Sequence, residues 1–155
     1  MEPIKILFVC HGNICRSPMA EFILKELVRR KGLSDRFEIA SAATSTEEIG
    51  EDMYGPAKRC LMTNGIPFEP RAARQLRKGD GRYWDLIIGM DGANMRNIRR
   101  ILGSGAEGKI YRMMEFAGSD ADVADPWYTG DFATTFDDLM AACRGLLAHL
   151  RVQGV

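Results

Sequence analysis

Cys10 and Arg16 bound a short segment whose residue types suit the capture of an oxyanion and an attack on it. The segment reads Cys10-His11-Gly12-Asn13-Ile14-Cys15-Arg16. An apolar run precedes it, and Ser17 and Pro18 follow as the predicted N-cap and first residue of a helix. Such a loop aims backbone N–H groups and the positive end of a helix dipole at one point. Because the same field and Arg16 would stabilise a thiolate, the sequence predicts that Cys10 is a nucleophile inside its own anion-binding site.

Asp125 is the candidate proton donor for such a nucleophile. Expelling an alcohol or phenol at neutral pH calls for an acid near the leaving group. Pro126 biases Asp125 away from helical geometry, and Trp127 and Tyr128 follow as two rings that could line a slot for a flat substrate. A competing interpretation stays open at this point: Cys10 is a small buried apolar residue, and Asp125 turns a loop whose aromatics belong to the core.

Length and composition are those of one soluble domain spanning residues 1–155, with 46% hydrophobic and 27% charged residues. The formal net charge is zero and no long run carries one sign, which argues against nucleic acid and membrane surfaces as partners. No apolar stretch reaches membrane-spanning length and no signal-peptide pattern opens the chain, so we expect a cytoplasmic protein. The four cysteines do not form a disulfide-scaffold pattern, and the two histidines offer no second ligand pair; we therefore expect no metal and no cofactor.

Hydrophobic periodicity predicts alternating strands and helices. The predicted strands are 4–9, 37–40, 84–90 and 109–113, and a polar loop is predicted over 41–55. The predicted helices run from Pro18 to near Gly32, from Pro56 to Asn64, from the cap Asp91 to Leu102, and from about Phe132 to Leu150. This alternation favours an α/β fold with a four-stranded parallel sheet covered by helices on both faces. The phosphate-binding loop would then follow the first strand, at the sheet edge where such folds bind ligands.

Several motifs, taken in chain order, resemble the low-molecular-weight protein tyrosine phosphatases. The resemblance covers nearly the whole chain and is most specific in the loop and in the Asp-Pro-aromatic-Tyr motif. The matching segments are Cys10 to Arg16 with Ser17-Pro18-Met19-Ala20-Glu21, Ser41-Ala42, Ala73-Arg74-Gln75, Met90-Asp91 and Asp125-Pro126-Trp127-Tyr128.

The resemblance implies metal-free hydrolysis of phosphotyrosine on proteins or peptides, with inorganic phosphate as product. Cys10 would attack phosphorus to give a phosphocysteine, while Arg16 and the loop amides hold the equatorial oxygens. Asp125 would protonate the departing phenolate and then activate the water that releases phosphate. The family also implies a monomer or a weak dimer.

Supporting roles follow from the same resemblance. Ser17 would hydrogen-bond the thiolate, and Asn13 would support the unusual backbone of the loop with Ser41 as its partner, since asparagine tolerates left-handed conformations. Trp127 and Tyr128 would form walls of the substrate pocket. Cys15 would act as a redox partner, forming a reversible disulfide with Cys10 that shelters the nucleophile from overoxidation.

Several positions depart from the commonest family pattern. Glu47-Glu48 replaces a Trp-His pair, so we place Glu47 in the pocket wall and expect weaker selection for acidic peptides than is usual. Arg71 stands where some members have histidine, His11 where a small or apolar residue is usual, and Ala40 where aspartate is usual.

Three alternative functions remain open from the sequence. An arsenate reductase on the same fold needs relay cysteines, and none lies between Leu61 and Ala142. A domain that carries phosphate on Cys10 has no need of an acid such as Asp125. A catalytically inactive phosphotyrosine-binding module would not require Cys10, Arg16 and Asp125 together.

Overall fold

Four parallel strands form the centre of the fold, in the spatial order β2-β1-β3-β4. The structure, a computed structural model, describes residues 2–150. The strands are β1 (Ile4–Cys10), β2 (Phe37–Ala43), β3 (Leu86–Gly89) and β4 (Ile110–Arg112). Because β1 pairs with both β2 and β3, the chain that follows it leaves the sheet at the middle of its carboxyl edge. The predicted four-stranded parallel sheet is confirmed.

Six helices surround this sheet within the described residues, together with three 3-10 turns. The helices are α1 (Arg16–Arg30), α2 (Gly55–Thr63), α3 (Asp80–Tyr83), α4 (Gly92–Leu102), α5 (Pro126–Thr129) and α6 (Phe132–His149). The 3-10 turns are Ser34–Arg36, Gly103–Ala106 and Met113–Ala117. Between residues 2 and 150, no helix has both the length and the apolar character that a membrane crossing requires.

The two faces of β1 carry different cores. Ile6 and Phe8 belong to the cluster that includes α1 and α6, whereas Leu7 and Val9 belong to the cluster that includes α4. All four side chains are fully buried, as expected for a parallel strand covered on both faces. Cys10 continues the Ile6 and Phe8 side, so its thiol lies on the α1 face of the sheet.

The predicted helix start in front of Pro18 was wrong by two residues. α1 begins at Arg16, with Cys15 at the N-cap position and no side-chain cap. Ser17 therefore lies inside the first turn. Its hydroxyl is engaged by Cys10 and Asn13 instead of capping the helix, because the loop curls back over that turn.

Strand ends also differ from the prediction. β2 continues to Ala43 because it pairs with β1 as far as Cys10, so Ser41 lies in a strand and not in the predicted loop over 41–55. β3 is shorter than predicted because its pairing with β1 covers only four residues. Periodicity did not predict α3 or α5, each of which has four residues. The proposed domain range 1–155 includes residues 1 and 151–155, which lie outside the described residues.

Gly145 provides a test of the α6 packing. A Cβ on Gly145 would lie 1.8 Å from the backbone oxygen of Phe116. We expect Gly145→Ala to lower the free energy of unfolding by about 3 kcal/mol, although alanine is ordinarily about 1 kcal/mol better than glycine inside a helix. Urea unfolding of both proteins measures the difference.

Gly79→Ala is the matched control for this substitution. Gly79 has an ordinary φ of −62°, and nothing lies within 4 Å of its added Cβ. We expect its unfolding free energy to change by less than about 1 kcal/mol. An unfolding free energy for Gly145→Ala equal to or above that of the parent would contradict the close contact with Phe116.

Candidate active site

The loop between β1 and α1 is built around one left-handed residue. Asn13 has φ 59°, the only positive φ at a non-glycine position among residues 2–150. The loop is held through its carbonyl groups, because Cys10 O, His11 O and Ile14 O accept hydrogen bonds from backbone amides at 2.9, 3.0 and 2.9 Å. The backbone N–H groups of residues 11–15, by contrast, donate a hydrogen bond to no group in the described part of the chain. Four of the five residues line a cleft, where an oxyanion would satisfy N–H groups that the protein leaves unpaired.

The side-chain amide of Asn13 fixes this loop with a full set of hydrogen bonds. Its Nδ2 donates to Ser17 Oγ at 2.8 Å and to Ser41 Oγ at 2.9 Å. Its Oδ1 accepts from Arg71 Nη2 at 2.6 Å and from the Arg74 amide at 3.3 Å. An asparagine amide offers two donors and two acceptor positions, so no capacity is left over. The predicted contact between Asn13 and Ser41 is present.

Arg71 is a site residue whose place the sequence did not reveal. In the sequence it stands out only as a departure from the family pattern, because nothing in the spacing of Arg71 connects it to Asn13. The structure places it half-buried behind the loop, where burial lowers the pKa of its guanidinium, opposed by the negative charges of Glu21 and Asp52. Arg71 thus supplies a charged donor to the residue that shapes the loop.

The Cys10 thiol lies at the centre of the loop and is 3% exposed. Its Sγ lies 3.0 Å from Ser17 Oγ and accepts a hydrogen bond from the Ser17 amide at 3.4 Å. Since Ser17 Oγ already accepts from Asn13, its own proton is free to point at the sulfur. The arrangement can therefore donate two hydrogen bonds to a thiolate.

The Arg16 guanidinium, 2% exposed, faces the cleft from the start of α1. Nη1 donates to Asp91 Oδ2 at 2.7 Å and to Val123 O at 3.0 Å, and Nη2 donates to Asp125 Oδ2 at 3.3 Å. Burial disfavours its charge, but the Cys10 thiolate and the two aspartates prevail and raise the pKa of Arg16 above its usual value. A permanent cation is thus held beside the Cys10 thiol.

Asp91 has a second role that the sequence did not predict. It is the N-cap of α4, as expected, because Oδ1 accepts from the Asn94 amide at 2.7 Å. Its other oxygen holds Arg16. Burial would raise the pKa of Asp91, but the hydrogen bonds from Arg16 and Asn94 outweigh it and hold the pKa below its usual value. One carboxylate therefore links a helix start to the orientation of Arg16.

Asp125 lies at the N-cap of the short helix α5. The Trp127 amide donates to its Oδ1 at 3.1 Å, and Pro126 occupies the first helical turn. Its ψ of 112° is extended, as the following proline predicts. Trp127 is 52% exposed and Tyr128 is 83% exposed, so these rings are not core residues. Trp127 instead packs on Tyr54, with ring centroids 4.7 Å apart.

These elements enclose a cleft of about 250 Å³ at the carboxyl edge of the sheet. Its lining residues are Cys10, His11, Gly12, Ile14, Cys15, Arg16, Glu47, Glu48, Asp125, Trp127 and Tyr128. Asn13, Ser17 and Ser41 lie behind the loop instead. Glu47 is paired with His11 at the mouth of the cleft, and an added Cβ on Gly12 would contact Glu48.

Cys15 lines the same cleft but is only 4% exposed. Burial, followed by the negative charges of Cys10 and Asp125, raises the pKa of the Cys15 thiol to about 12. Cys15 is therefore a neutral thiol at physiological pH, next to a group that can be ionised.

The model of the family described as low molecular weight phosphotyrosine protein phosphatase matches residues 5–154. The chain belongs to this family. YfkJ of Bacillus subtilis, named a low molecular weight protein-tyrosine-phosphatase, is 38% identical over 150 residues, with 96% of each chain covered. The corresponding enzyme PtpA of Staphylococcus epidermidis is 32% identical over 148 residues, covering 95% of this chain and 94% of the relative.

Solved structures of similar proteins share the fold of this chain. The crystal structure of YfkJ has a TM-score of 0.92 at 36% identity and covers 99% of this chain and 98% of its own. Vibrio vulnificus Wzb, solved in complex with benzylphosphonate, has a TM-score of 0.83 at 27% identity and covers 94% of this chain and 98% of its own.

Arg71 gives a direct test of the loop support in this phosphatase. Arg71→Ala removes the charged donor from Asn13 Oδ1, a hydrogen bond worth about 1.5 kcal/mol. We expect inorganic phosphate to bind about tenfold more weakly, as measured by calorimetry. Arg59→Ala, at an exposed arginine in α2, should bind phosphate like the parent. Equal phosphate affinity in the Arg71 and Arg59 variants would refute the role of Arg71.

Proposed function

We propose that this protein hydrolyses phosphotyrosine on proteins and peptides through a phosphocysteine intermediate, without a metal or cofactor. One observation carries the proposal: Cys10, Arg16, Asp125 and a row of unpaired loop amides share one cleft. Membership in the phosphatase family supports it, as does the benzylphosphonate complex of Vibrio vulnificus Wzb, which shares this fold.

The first step forms the bond between sulfur and phosphorus. A Cys10 thiolate attacks the phosphorus while the loop amides and Arg16 bind the equatorial oxygens. The bond from phosphorus to the phenolic oxygen breaks, and the proton of Asp125 passes to that oxygen. Before this transfer, the protonated Asp125 has only a weakened contact with Arg16. The guanidinium is then free to turn toward the phosphate, while Asp91 still accepts a hydrogen bond from Nη1.

The second step returns the enzyme to its starting state. The Asp125 carboxylate accepts a proton from a water that attacks the phosphocysteine. The bond between sulfur and phosphorus breaks, inorganic phosphate leaves, and the thiolate re-forms next to the Ser17 hydroxyl and amide. Hydrogen bonds to the leaving sulfur lower the barrier for this step.

The other functions considered from the sequence are not favoured. The remaining cysteines are poor relays for an arsenate reductase, because Cys143 is fully buried against Ala20 O and Cys60 contacts Phe132 O, both outside the cleft lining. A phosphate carrier or an inactive binding module would gain nothing from Asp125 beside Arg16.

Turnover of p-nitrophenyl phosphate and phosphotyrosine, with reductant and a metal chelator present, tests the proposal. We expect Cys10→Ser to abolish both activities. Asp125→Asn should cost about a hundredfold or more in kcat/KM on phosphotyrosine, whose phenolate needs a proton, and clearly less on p-nitrophenyl phosphate, whose phenolate leaves readily.

Each outcome discriminates between roles. Equal losses on the two substrates in Asp125→Asn would refute the role of Asp125 as general acid. Turnover that persists in Cys10→Ser would refute the phosphocysteine route. Phosphate that stays on Cys10 without release would favour the carrier function instead.

The mouth of the cleft favours substrates with basic residues near the phosphotyrosine. Arg16 is the only lysine or arginine lining the cleft among the described residues, and it is committed to phosphate. Glu47 and Glu48 leave the mouth acidic, and His11 is paired with Glu47 there. An acidic peptide would therefore meet like charge.

We expect peptides with lysine or arginine flanks to have a kcat/KM about fivefold above peptides with aspartate or glutamate flanks at low salt. The ratio should shrink at high salt and in the variant Glu47→Gln/Glu48→Gln. Glu107→Gln, at an exposed position outside the cleft, should keep the ratio. A preference for acidic peptides would count against this assignment.

The disulfide between Cys10 and Cys15 stays a prediction. Oxidation of Cys10 by peroxide to a neutral sulfenic acid would remove one of the charges that raise the pKa of Cys15, easing attack by its sulfur with loss of water. A sulfinic acid at Cys10 without the disulfide, seen by mass spectrometry, would contradict it. A cytoplasmic location and a monomer or weak dimer also remain predictions.

A further inference from the structure

The hydrogen bonds behind the nucleophile continue to the outer surface of α1. Ser41 Oγ, which accepts from Asn13, donates in turn to Glu21 Oε1 at 2.6 Å. The other oxygen of Glu21 accepts from Lys25 Nζ at 2.6 Å. An unbroken series of hydrogen bonds thus leads from Cys10 to Lys25, which lies outside the cleft and takes no part in the proposed reaction.

Glu21 is a buried carboxylate in this series, with 9% of its surface exposed. Its direct partners are Ser41 from β2 and Lys25 from α1, and Arg71 lies near enough for its charge to be felt. The Lys25 side chain is 41% exposed. Of the two direct partners of Glu21, Lys25 is therefore the one more accessible to solvent.

The negative charge of Glu21 faces the same loop that must hold an anion. Arg71 feels the charges of both Glu21 and the Cys10 thiolate, so both anions lie within electrostatic range of one guanidinium. In a buried environment, like charges raise the cost of ionising either group. The ammonium of Lys25 offsets the charge of Glu21 and fixes its carboxylate toward Ser41.

We propose that Lys25 is a positioning residue for the Cys10 thiolate, acting through Glu21, Ser41, Asn13 and Ser17. The proposal rests on Cys10 being the nucleophile of the proposed function. Lys25 neutralises the carboxylate that ends the series, and the series in turn orients the Ser17 hydroxyl at the sulfur. Loss of the lysine charge makes the Cys10 thiolate less stable relative to the thiol, without altering any group in the cleft.

The test follows the pH profile of Cys10 alkylation by iodoacetamide in the full chain. Cleavage after Lys5 and Arg16 leaves Cys10 and Cys15 in one peptide, in which fragmentation mass spectrometry assigns the label. We expect Lys25→Gln to move the profile to higher pH and to slow alkylation below its midpoint about threefold. The kcat/KM for p-nitrophenyl phosphate should fall by a similar factor.

Three variants separate this role from a merely structural one. Lys25→Arg keeps the charge and should restore the parent profile. Glu21→Gln added to Lys25→Gln removes the uncompensated carboxylate and should shift the profile back toward that of the parent. Lys31→Gln makes the same change at an exposed lysine at the end of α1 and should have no effect.

Two results would overturn the proposal: a Lys25→Gln profile identical to that of the parent, or a double variant no closer to the parent than Lys25→Gln. A lower melting temperature with an unchanged profile would assign Lys25 to stability alone. Because alkylation reports on Cys10 without turnover, an inactive protein with the expected shifts would refute the proposed function and leave the link from Lys25 to Cys10 standing.

Discussion

The left-handed conformation of Asn13 is the constraint on which the rest of the site depends. It is held by an amide whose four hydrogen-bonding positions are all used, by partners from α1, β2 and the loop before α3. These partners come from three separate parts of the chain, so the loop geometry exists only when the tertiary fold is complete. The unpaired amides of residues 11–15 belong to the loop that this single turn shapes.

Electrostatic balance is the second organising feature. The Arg16 guanidinium is fixed between two aspartates, and each of those aspartates also caps the start of a helix. The anions that hold Arg16 keep it extended toward the site, where its charge serves the thiolate. A buried cation with these partners needs no reorganisation of the backbone when the anion arrives.

The sequence predicted the strands, the loop, Cys10, Arg16 and Asp125 because local patterns encode them: an apolar run, a spacing and an Asp-Pro pair. The sequence did not predict most of the side-chain contacts between residues that are far apart in the chain. Ser17 looked like a helix cap because hydroxyl residues often are, yet the loop in front of it supplies other partners. Asp91 was predicted as a cap, but its second oxygen meets Arg16 only after β3 has been placed beside β1. Arg71 stood out only as a departure from the family pattern, because its contact with Asn13 joins residues far apart in the sequence.

The acidic mouth of the cleft also bears on inhibitor chemistry. An aryl phosphonate would address the loop amides and Arg16, which every enzyme of this design must share, and on its own would offer little selectivity. An ammonium group on the same scaffold, carried far enough to reach Glu47 and Glu48, would add a contact that does not depend on the phosphate-binding loop. Selectivity of such an inhibitor among related phosphatases would then come from the mouth of the cleft, and its affinity from the phosphate-binding loop.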